Sequence, residues 1–155
     1  MLKTSISNLV KSVEDIISDE IESVEIKDEK YVSITVKYDY LLHVAETLKN
    51  NLGFTIPVAC GGIDYLDEDK MQMIYYISNP KSRFIITLRV DIPRNSPQLP
   101  SLTQVWEAMS FHEREAHEMF GVEFKDHPNM VPLLLPPSWK GGYPLRKDFK
   151  GEGIK

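Results

Sequence analysis

Residues 71–92 read MQMIYYISNPKSRFIITLRVDI, two apolar runs on either side of Asn79-Pro80. Both runs are rich in β-branched and aromatic residues, and both have the length of an ordinary strand. A proline ring fixes its own backbone and carries no amide hydrogen, so an Asn-Pro pair is typical of a turn. The stretch therefore predicts two successive strands, 71–78 and 83–92, joined by a tight connection.

The elements upstream of this pair follow from hydrophobic periodicity. Apolar residues at helical spacing predict an amphipathic helix, and alternating apolar and polar residues predict half-buried strands. Asp39 is expected to cap the second helix, and Gly53 to close it in a left-handed conformation. The order α-β-β-α-β-β-β predicts an α+β fold, with a largely antiparallel or mixed sheet and flanking helices. The predicted upstream elements are a helix over roughly 2–20, strands at 23–28 and 31–39, a helix at 39–53 and a strand at 54–66.

The character of the sequence changes after residue 92, since eight of the ten prolines lie beyond position 90. The segment PRNSPQLP, residues 93–100, predicts a loop. Ser101 is expected to cap a short helix over 102–109. A second helical stretch over 111–120 is expected to end at Gly121.

An extended arm is predicted from residue 126 to residue 155, so that the α+β domain comprises residues 1–125. Five prolines in the arm exclude regular helix and disfavour a central strand. Yet the arm carries three consecutive leucines, Trp139 and Phe149, whereas disordered tails are poor in such residues. The arm therefore needs a surface, either its own domain or another subunit. We expect at least part of it to dock on another subunit.

Composition excludes several classes of function. A net charge of −5 over 155 residues gives no reason to expect a nucleic-acid partner. The one cysteine, Cys60, can neither close an internal disulfide nor hold an iron–sulfur cluster, which needs about four ligands. No secretory signal and no apolar run of roughly 20 residues is visible, so membrane contact is expected only through partner subunits. Charge is uneven, because residues 136–155 carry five basic and two acidic side chains.

The stretch HEREAHE, residues 112–118, resembles the HExxH motif of zinc proteases but has one residue too many. His112 and His117 are five residues apart, which is about 140° around a helix, so they do not share one face. A stand-alone metal-dependent hydrolase using His112, Glu113 and His117 is kept as an alternative of a different class.

The same stretch also fits a set of ion pairs on a helix. Helical spacing places Glu113 near His117 and Arg114 near Glu118. These charges either lie on a solvated face or are buried at an interface, where a guanidinium and a carboxylate pair in a fixed geometry. The apolar neighbours Phe111, Met119 and Phe120 favour the interface, with Arg114 paired to a carboxylate.

Three motifs occur in order in the last third of the chain: LPSLTQVW at 99–106, EREAHEMFGVEFKDHP at 113–128 and GGYPLRKDF at 141–149. Together they resemble the C subunit, or thirty-kilodalton subunit, of complex I-type NADH:quinone oxidoreductases. Related subunits occur in F(420)H(2) dehydrogenases and in membrane-bound energy-converting hydrogenases. One departure is that family members commonly carry arginine near the positions of Val131 and Pro132. The compact length and these missing arginines favour an archaeal or hydrogenase-type relative.

The resemblance implies a non-catalytic structural subunit of a membrane-attached respiratory dehydrogenase, in which electron transfer to a quinone-type acceptor is coupled to ion translocation. The alternative within the family is the same role in an energy-converting nickel–iron hydrogenase. No cofactor is expected in this chain; iron–sulfur clusters, with flavin or a nickel–iron centre in some complexes, belong to partner subunits. The implied partners are the hydrogenase-like large D subunit and the cluster-bearing B subunit, at the cytoplasmic face of the cell membrane.

The charged helix, the arm and the resemblance together predict a partner interface, and no catalytic, cofactor-binding or metal residues. The resemblance implies that the arm lies extended over the D subunit. The predicted interface residues are Glu113, Arg114, Glu115, Glu118, Phe120, His127, Pro128, Leu133, Leu134, Leu135, Trp139, Arg146, Lys147, Asp148 and Phe149.

Overall fold

The computed structural model describes residues 5–151. Ser5 caps the first helix by accepting a hydrogen bond from the Asn8 amide at 3.3 Å, and the start of the predicted helix at residues 2–4 lies outside the described residues. The helices and strands are α1 Ile6–Ile17, β1 Ile21–Ile26, β2 Tyr31–Val36, α2 Leu41–Asn50, β3 Ile56–Tyr65, β4 Lys70–Ser78, β5 Ile85–Pro93, β6 Gln98–Pro100, α3 Met109–Phe120 and β7 Glu123–Lys125.

Five strands form one mixed sheet in the order β1-β2-β5-β4-β3. The pairs β1–β2, β3–β4 and β4–β5 are antiparallel, whereas β2 and β5 run parallel. The predicted turn at Asn79-Pro80 joins β4 to β5, and the Asn79 side chain accepts hydrogen bonds from the amides of Lys81 and Ser82 at 2.9 and 3.1 Å. The predicted fold class, an α+β domain with a mixed sheet and flanking helices, is confirmed.

The hydrophobic core lies on one face of this sheet, because the strands alternate buried and less buried residues. The other face carries a polar network in which Arg89 donates to Ser33 at 3.0 Å and to Gln72 at 2.9 Å. Core side chains include Val32, Ile34 and Val36 of β2, Met71, Met73, Tyr75 and Ile77 of β4, Ile86, Leu88, Val90 and Ile92 of β5, Leu9, Val13 and Ile17 of α1, and Leu41, Val44 and Leu48 of α2.

Three local predictions are wrong. Asp39 does not cap α2, because it lies inside a turn of 3-10 helix and α2 begins without a side-chain cap. No helix forms over residues 102–109 ahead of α3; this segment makes turns, and the Ser101 hydroxyl is bound by Glu113 instead. Residues 93–100 are not all loop, since β6 pairs in parallel with β7. That pairing joins Gln98 to Glu123, and local sequence patterns do not reveal a pairing between positions so far apart.

The arm follows β7 without helix or strand over residues 126–151, and none of these side chains is fully buried. It nevertheless runs over its own domain. The backbone of Leu133–Leu135 contacts Glu118 in the last turn of α3, and the Lys147 amide reaches Asp64 near the end of β3. The arm is therefore attached to the domain by hydrogen bonds, while its outer side chains stay exposed.

Candidate functional site

Helix α3 is the element around which the predicted interface residues gather. The helix ends at Gly121, as the sequence predicted, and Gly121 adopts the left-handed conformation with φ of 76°. A glycine is also needed there for space, because a Cβ atom would lie 2.4 Å from the ring of Tyr143. On the inner side, a Cβ atom on Gly62 of β3 would lie 3.1 Å from the Phe120 ring, so α3 packs closely against the sheet. Phe120 is thus buried within the chain and does not face outward.

Glu113 is fully buried and points into the domain. Its carboxylate accepts a hydrogen bond from the Ser101 hydroxyl at 2.6 Å and another from the Leu102 amide at 2.7 Å. Burial raises the pKa of Glu113 to about 7, although these two hydrogen bonds act in the opposite direction. Glu113 therefore ties the turns after β6 to α3, and the predicted pairing with His117 does not form.

Arg114 and Glu118 both bind the backbone of the arm, so the predicted pair between them does not form either. The Arg114 guanidinium donates to the carbonyls of Val131 and Pro132 at 2.8 and 2.9 Å. The Glu118 carboxylate accepts from the three successive amides of Leu133–Leu135 at 2.8, 2.7 and 3.3 Å. Hydrogen bonds that involve an ionised partner are about twice as strong as neutral ones. One turn of α3 thus fixes five consecutive residues of the arm.

The C-terminus of α3 holds a second part of the arm. The Leu145 amide donates to the Met119 carbonyl at 3.0 Å, and the Arg146 guanidinium donates to the Phe120 carbonyl at 2.7 Å. A cation at this end of a helix is favoured because the last carbonyls carry partial negative charge. Arg146 also stacks on the ring of Tyr143 at 4.6 Å.

A buried ion pair between β3 and the end of β5 makes the third attachment. Arg94 forms a two-pronged pair with Asp64, at 2.7 and 3.0 Å, and also donates to Asp148 of the arm at 2.7 Å. The Arg94 guanidinium holds the pKa of Asp64 and that of Asp148 below their usual range. The Lys147 amide adds a bond of 2.8 Å to Asp64. Sequence reasoning predicted Lys147 and Asp148 but missed Asp64 and Arg94.

A weak signal for this pair does exist in the sequence. Asp64 is the one acid in the otherwise apolar or small segment ACGGIDYL, and Arg94 follows a proline at the end of a strand. Each residue is unusual alone, since charged side chains are seldom buried without a partner. Their separation of 30 positions hides the pairing.

Two of the four histidines, His117 and His127, contact nearby backbone groups. The Nδ1 atom of His127 accepts a hydrogen bond from the Asn129 amide at 3.1 Å, and its Nε2 atom lies 3.3 Å from the Ser110 carbonyl oxygen. Because Nδ1 is the acceptor, the neutral ring carries its proton on Nε2 and donates it to the Ser110 carbonyl. Burial is the main cause that lowers the pKa of His127, consistent with this neutral form. His117 Nδ1 lies 2.8 Å from the Val122 carbonyl. Among residues 5–151, no group of three or more histidine, cysteine or acidic side chains is placed to hold a metal ion.

The remaining predicted residues lie on the outside. Glu115 and Pro128 are exposed, whereas Trp139 and Phe149 pack on each other with ring centroids 6.1 Å apart. Several large apolar side chains near α3 remain open to solvent, and Phe111, which the predicted interface omitted, is the most exposed at 61%. We call this set the α3–arm surface: Phe111, Val131, Leu134, Tyr143 and Leu145, with exposures of 61, 45, 58, 40 and 53%.

The fold and this surface define a class of protein: an α+β domain that presents a charged helix and an ordered arm. Residues 34–155 match the family described as respiratory-chain NADH dehydrogenase, 30 Kd subunit. The C subunit of the F(420)H(2) dehydrogenase of Methanosarcina mazei is 35% identical over 116 residues, covering 75% of this chain and 73% of that protein. The C subunit of the NADH-quinone oxidoreductase of Moorella thermoacetica is 34% identical over 118 residues, covering 76% and 79%. The chain belongs to this family.

Solved structures share the fold. A chain of the membrane-bound sulfane sulfur reductase, an archaeal respiratory membrane complex, superposes with a TM-score of 0.85 at 22% identity, over 94% of this chain and 86% of that one. The trypsin-resistant fragment of Nqo5 gives a TM-score of 0.68 at 19% identity, over 80% of this chain and 98% of the fragment. The family match begins at residue 34, well before the motifs that carried the resemblance in the sequence.

Proposed function

We propose that this chain is a non-catalytic structural subunit of a complex I-like respiratory dehydrogenase, and that the α3–arm surface docks on the hydrogenase-like large D subunit, next to the cluster-bearing B subunit. The observation that carries the proposal is that large apolar side chains remain exposed beside α3 and along the arm, from Phe111 to Leu145. Apolar surface of this kind is typical of protein–protein contact. The relatives of this chain include subunits of an NADH-quinone oxidoreductase and of an F(420)H(2) dehydrogenase.

The attachment of the arm supports this proposal energetically. Glu118 and Arg114 already satisfy backbone groups of residues 131–135 within the chain. The arm therefore loses little conformational freedom on docking, and a pre-ordered surface binds at a lower entropic cost. Val131 and Leu134 then act as apolar anchors, since a few such residues usually dominate the energy of an interface.

The redox centres are proposed to lie in the partner subunits: iron–sulfur clusters, with flavin or a nickel–iron centre according to the complex. Burial raises the pKa of the partly buried Cys60 thiol well above its usual value, which favours the protonated form. Among residues 5–151, no helix has the length and apolar character needed to cross a bilayer. From the family match, we propose that the chain lies at the cytoplasmic face of the cell membrane, held there by its complex.

The test is purification of the tagged chain from detergent-solubilised membranes of its own host, followed by mass spectrometry of the bound proteins. We expect D- and B-type subunits to co-purify with the wild-type chain. The double variant Phe111→Ser/Leu134→Ser should lose them. A matched control, Ile16→Ser/Ile26→Ser, removes two side chains of similar exposure on α1 and β1 and should retain them.

Equal loss in both double variants would show that the α3–arm surface is not the contact. Recovery of the chain without any component of an electron-transfer complex would contradict the proposed function itself. The identity of the partners also separates the dehydrogenase from the energy-converting hydrogenase, because only the latter brings a large subunit loaded with nickel.

A further inference from the structure

A cavity of about 410 Å³ opens on the C-terminal half of the arm. Three cations, Lys140, Arg146 and Lys150, line it together with the ring of Phe149. The backbone of Gly141 and Gly142 forms another wall, and Gly142 has a φ of 80° that side-chain-bearing residues rarely adopt. The cavity is thus a concave, basic site on a chain whose net charge is −5.

Asp148, the one acid that lines this cavity, already forms an ion pair with Arg94. Asp148 accepts from Arg94 at 2.7 Å, and that contact holds its pKa below the usual range. Arg146 is fixed by the Phe120 carbonyl and by the ring of Tyr143. Among residues 5–151, Lys140 and Lys150 take part in no ion pair. Two lysines thus remain to bind negative charge in the cavity.

Lys147 does not belong to this group, although it lies between Arg146 and Asp148 in the sequence. It lines a separate cavity of about 350 Å³ with Asp67 and Glu68 of its own chain. The acidic neighbours of Lys147 are therefore internal, whereas residues 5–151 supply no ion-pair partner for Lys140 or Lys150.

We propose that the cavity lined by Lys140, Arg146 and Lys150 is the docking site for an acidic segment of a partner protein, with glutamate or aspartate side chains entering it. The inference rests on the proposed docking function and adds the chemistry of the opposing surface. A peptide fits better than an anionic membrane because the site is concave, and because Trp139 and Phe149 pack on each other instead of projecting toward a lipid phase. Charge complementarity of this kind favours correct orientation and fast association.

The test is an NMR titration of the isotope-labelled full-length chain with a decapeptide of glutamate at low ionic strength. We expect shift changes concentrated at the amides of 140–142 and 146–150. Lys140→Gln/Lys150→Gln should raise the Kd about fivefold or more, the effect of two partly exposed ion pairs. Lys11→Gln/Lys81→Gln removes the same charge from distant exposed sites and should change the Kd less than about twofold.

Four results would overturn the proposal. The first two are an equal rise in Kd for both double variants, and binding of a glutamine decapeptide as tight as that of the glutamate decapeptide. The other two are tighter binding of the chain to phosphatidylglycerol vesicles through the same two lysines, and a fivefold gain in peptide affinity with Glu152→Gln. The last result would assign the cavity to the chain's own terminus. If Lys140→Gln/Lys150→Gln leaves the co-purification of partners unchanged, the cavity is not a docking site, although the proposed function still holds. If the cavity binds the peptide but no partner co-purifies with the chain, the proposed function fails, although the cavity does bind acidic peptides.

Discussion

The sheet and the arm of this chain are ordered by different forces. Each central strand buries every second side chain, and Leu88, Met73 and Tyr75 are fully removed from water. The arm buries no side chain completely between residues 126 and 151. Its backbone is held instead by charged groups of the domain, chiefly Arg114 and Glu118.

This difference separates stability from function within one small chain. Apolar burial contributes roughly 25 cal/mol per Å² and does not depend on direction, so the sheet provides most of the folding energy. Charge-assisted hydrogen bonds contribute less energy but fix direction. The arm is therefore shaped by the domain without being part of its core, and its apolar side chains remain free for contact. Substitutions in the core should therefore affect stability far more than substitutions in the arm.

Shortening a core residue should cost the most. Leu88→Ala removes a fully buried side chain from β5, and we expect the free energy of unfolding to fall by about 4 kcal/mol, measured by urea denaturation. Leu134→Ala shortens an arm leucine that is 58% exposed and should change stability by less than about 0.5 kcal/mol. Similar losses in both variants would mean that the arm is part of the core.

Breaking the ion pair between domain and arm should come next. Arg94→Ala leaves the buried Asp64 carboxylate without its charged partner, and we expect a loss of about 3 kcal/mol in the free energy of unfolding. Asp148→Asn is the control: it keeps the Arg94–Asp64 pair and should mainly increase hydrogen exchange at the arm's end. If the two variants unfold at the same denaturant concentration, the energy of this site lies in the arm contact and not in the buried pair.

Glu113 should make stability depend on pH. Its pKa is about 7 in the folded chain and near 4.5 in the unfolded chain, so between these values the unfolded state releases a proton that the folded state keeps. Its contribution to stability therefore falls as pH rises from 4.5 to 7 and stays constant above that. We expect Glu113→Gln to match the wild type near pH 4.5 and to be about 2–3 kcal/mol more stable at pH 8. Thermal unfolding across this range measures the difference, and a constant gap between the two proteins would contradict the assignment.

A small effect on global stability is expected at Glu118. Glu118→Gln replaces an anion that accepts from three amides by a neutral amide group, and the loss should stay below about 1 kcal/mol. Hydrogen exchange at Leu133–Leu135 should nevertheless accelerate about tenfold, while exchange in β5 stays unchanged. Glu115→Gln, an exposed acid on the same helix, serves as the control. Faster exchange in both the arm and β5 would show that the two regions open together.

Much of the fold followed from local sequence patterns. The five strands of the main sheet, the three helices and the turn at Asn79-Pro80 were all predicted within a few residues of their observed bounds. Gly53 and Gly121 do adopt the left-handed conformation, with φ of 74° and 76°. The failure over 102–109 has a tertiary cause, since the buried Glu113 binds Ser101 and the Leu102 amide there. At Asp39 the difference is local, because a turn of 3-10 helix precedes α2. Ser101, for example, binds the buried Glu113 across a separation of 12 positions.

The charged residues of α3 that contact the arm were singled out by the sequence, but their roles were not predicted. Arg114 and Glu118 were expected to pair with each other or with a carboxylate, and both bind arm backbone instead. Spacing along a helix shows which side chains are neighbours but not whether a second segment passes over them. Phe111 was taken as an apolar neighbour that favours an interface but was left out of the predicted interface residues, and its 61% exposure appears only once α3 is placed on the sheet.

The sequence by itself determined the five strands of the main sheet, the three helices and the family, because these depend on periodicity, turn residues and motifs within short windows. Only the tertiary structure decided that β2 pairs with β5, that Arg94 meets Asp64 and that Lys140 and Lys150 share a cavity from which Lys147 is excluded. The physical reason is that pairing and burial are properties of residues brought together from distant positions. Lys147 and Lys150 are close in the sequence, yet they line different cavities, because the fold directs their side chains to different surfaces.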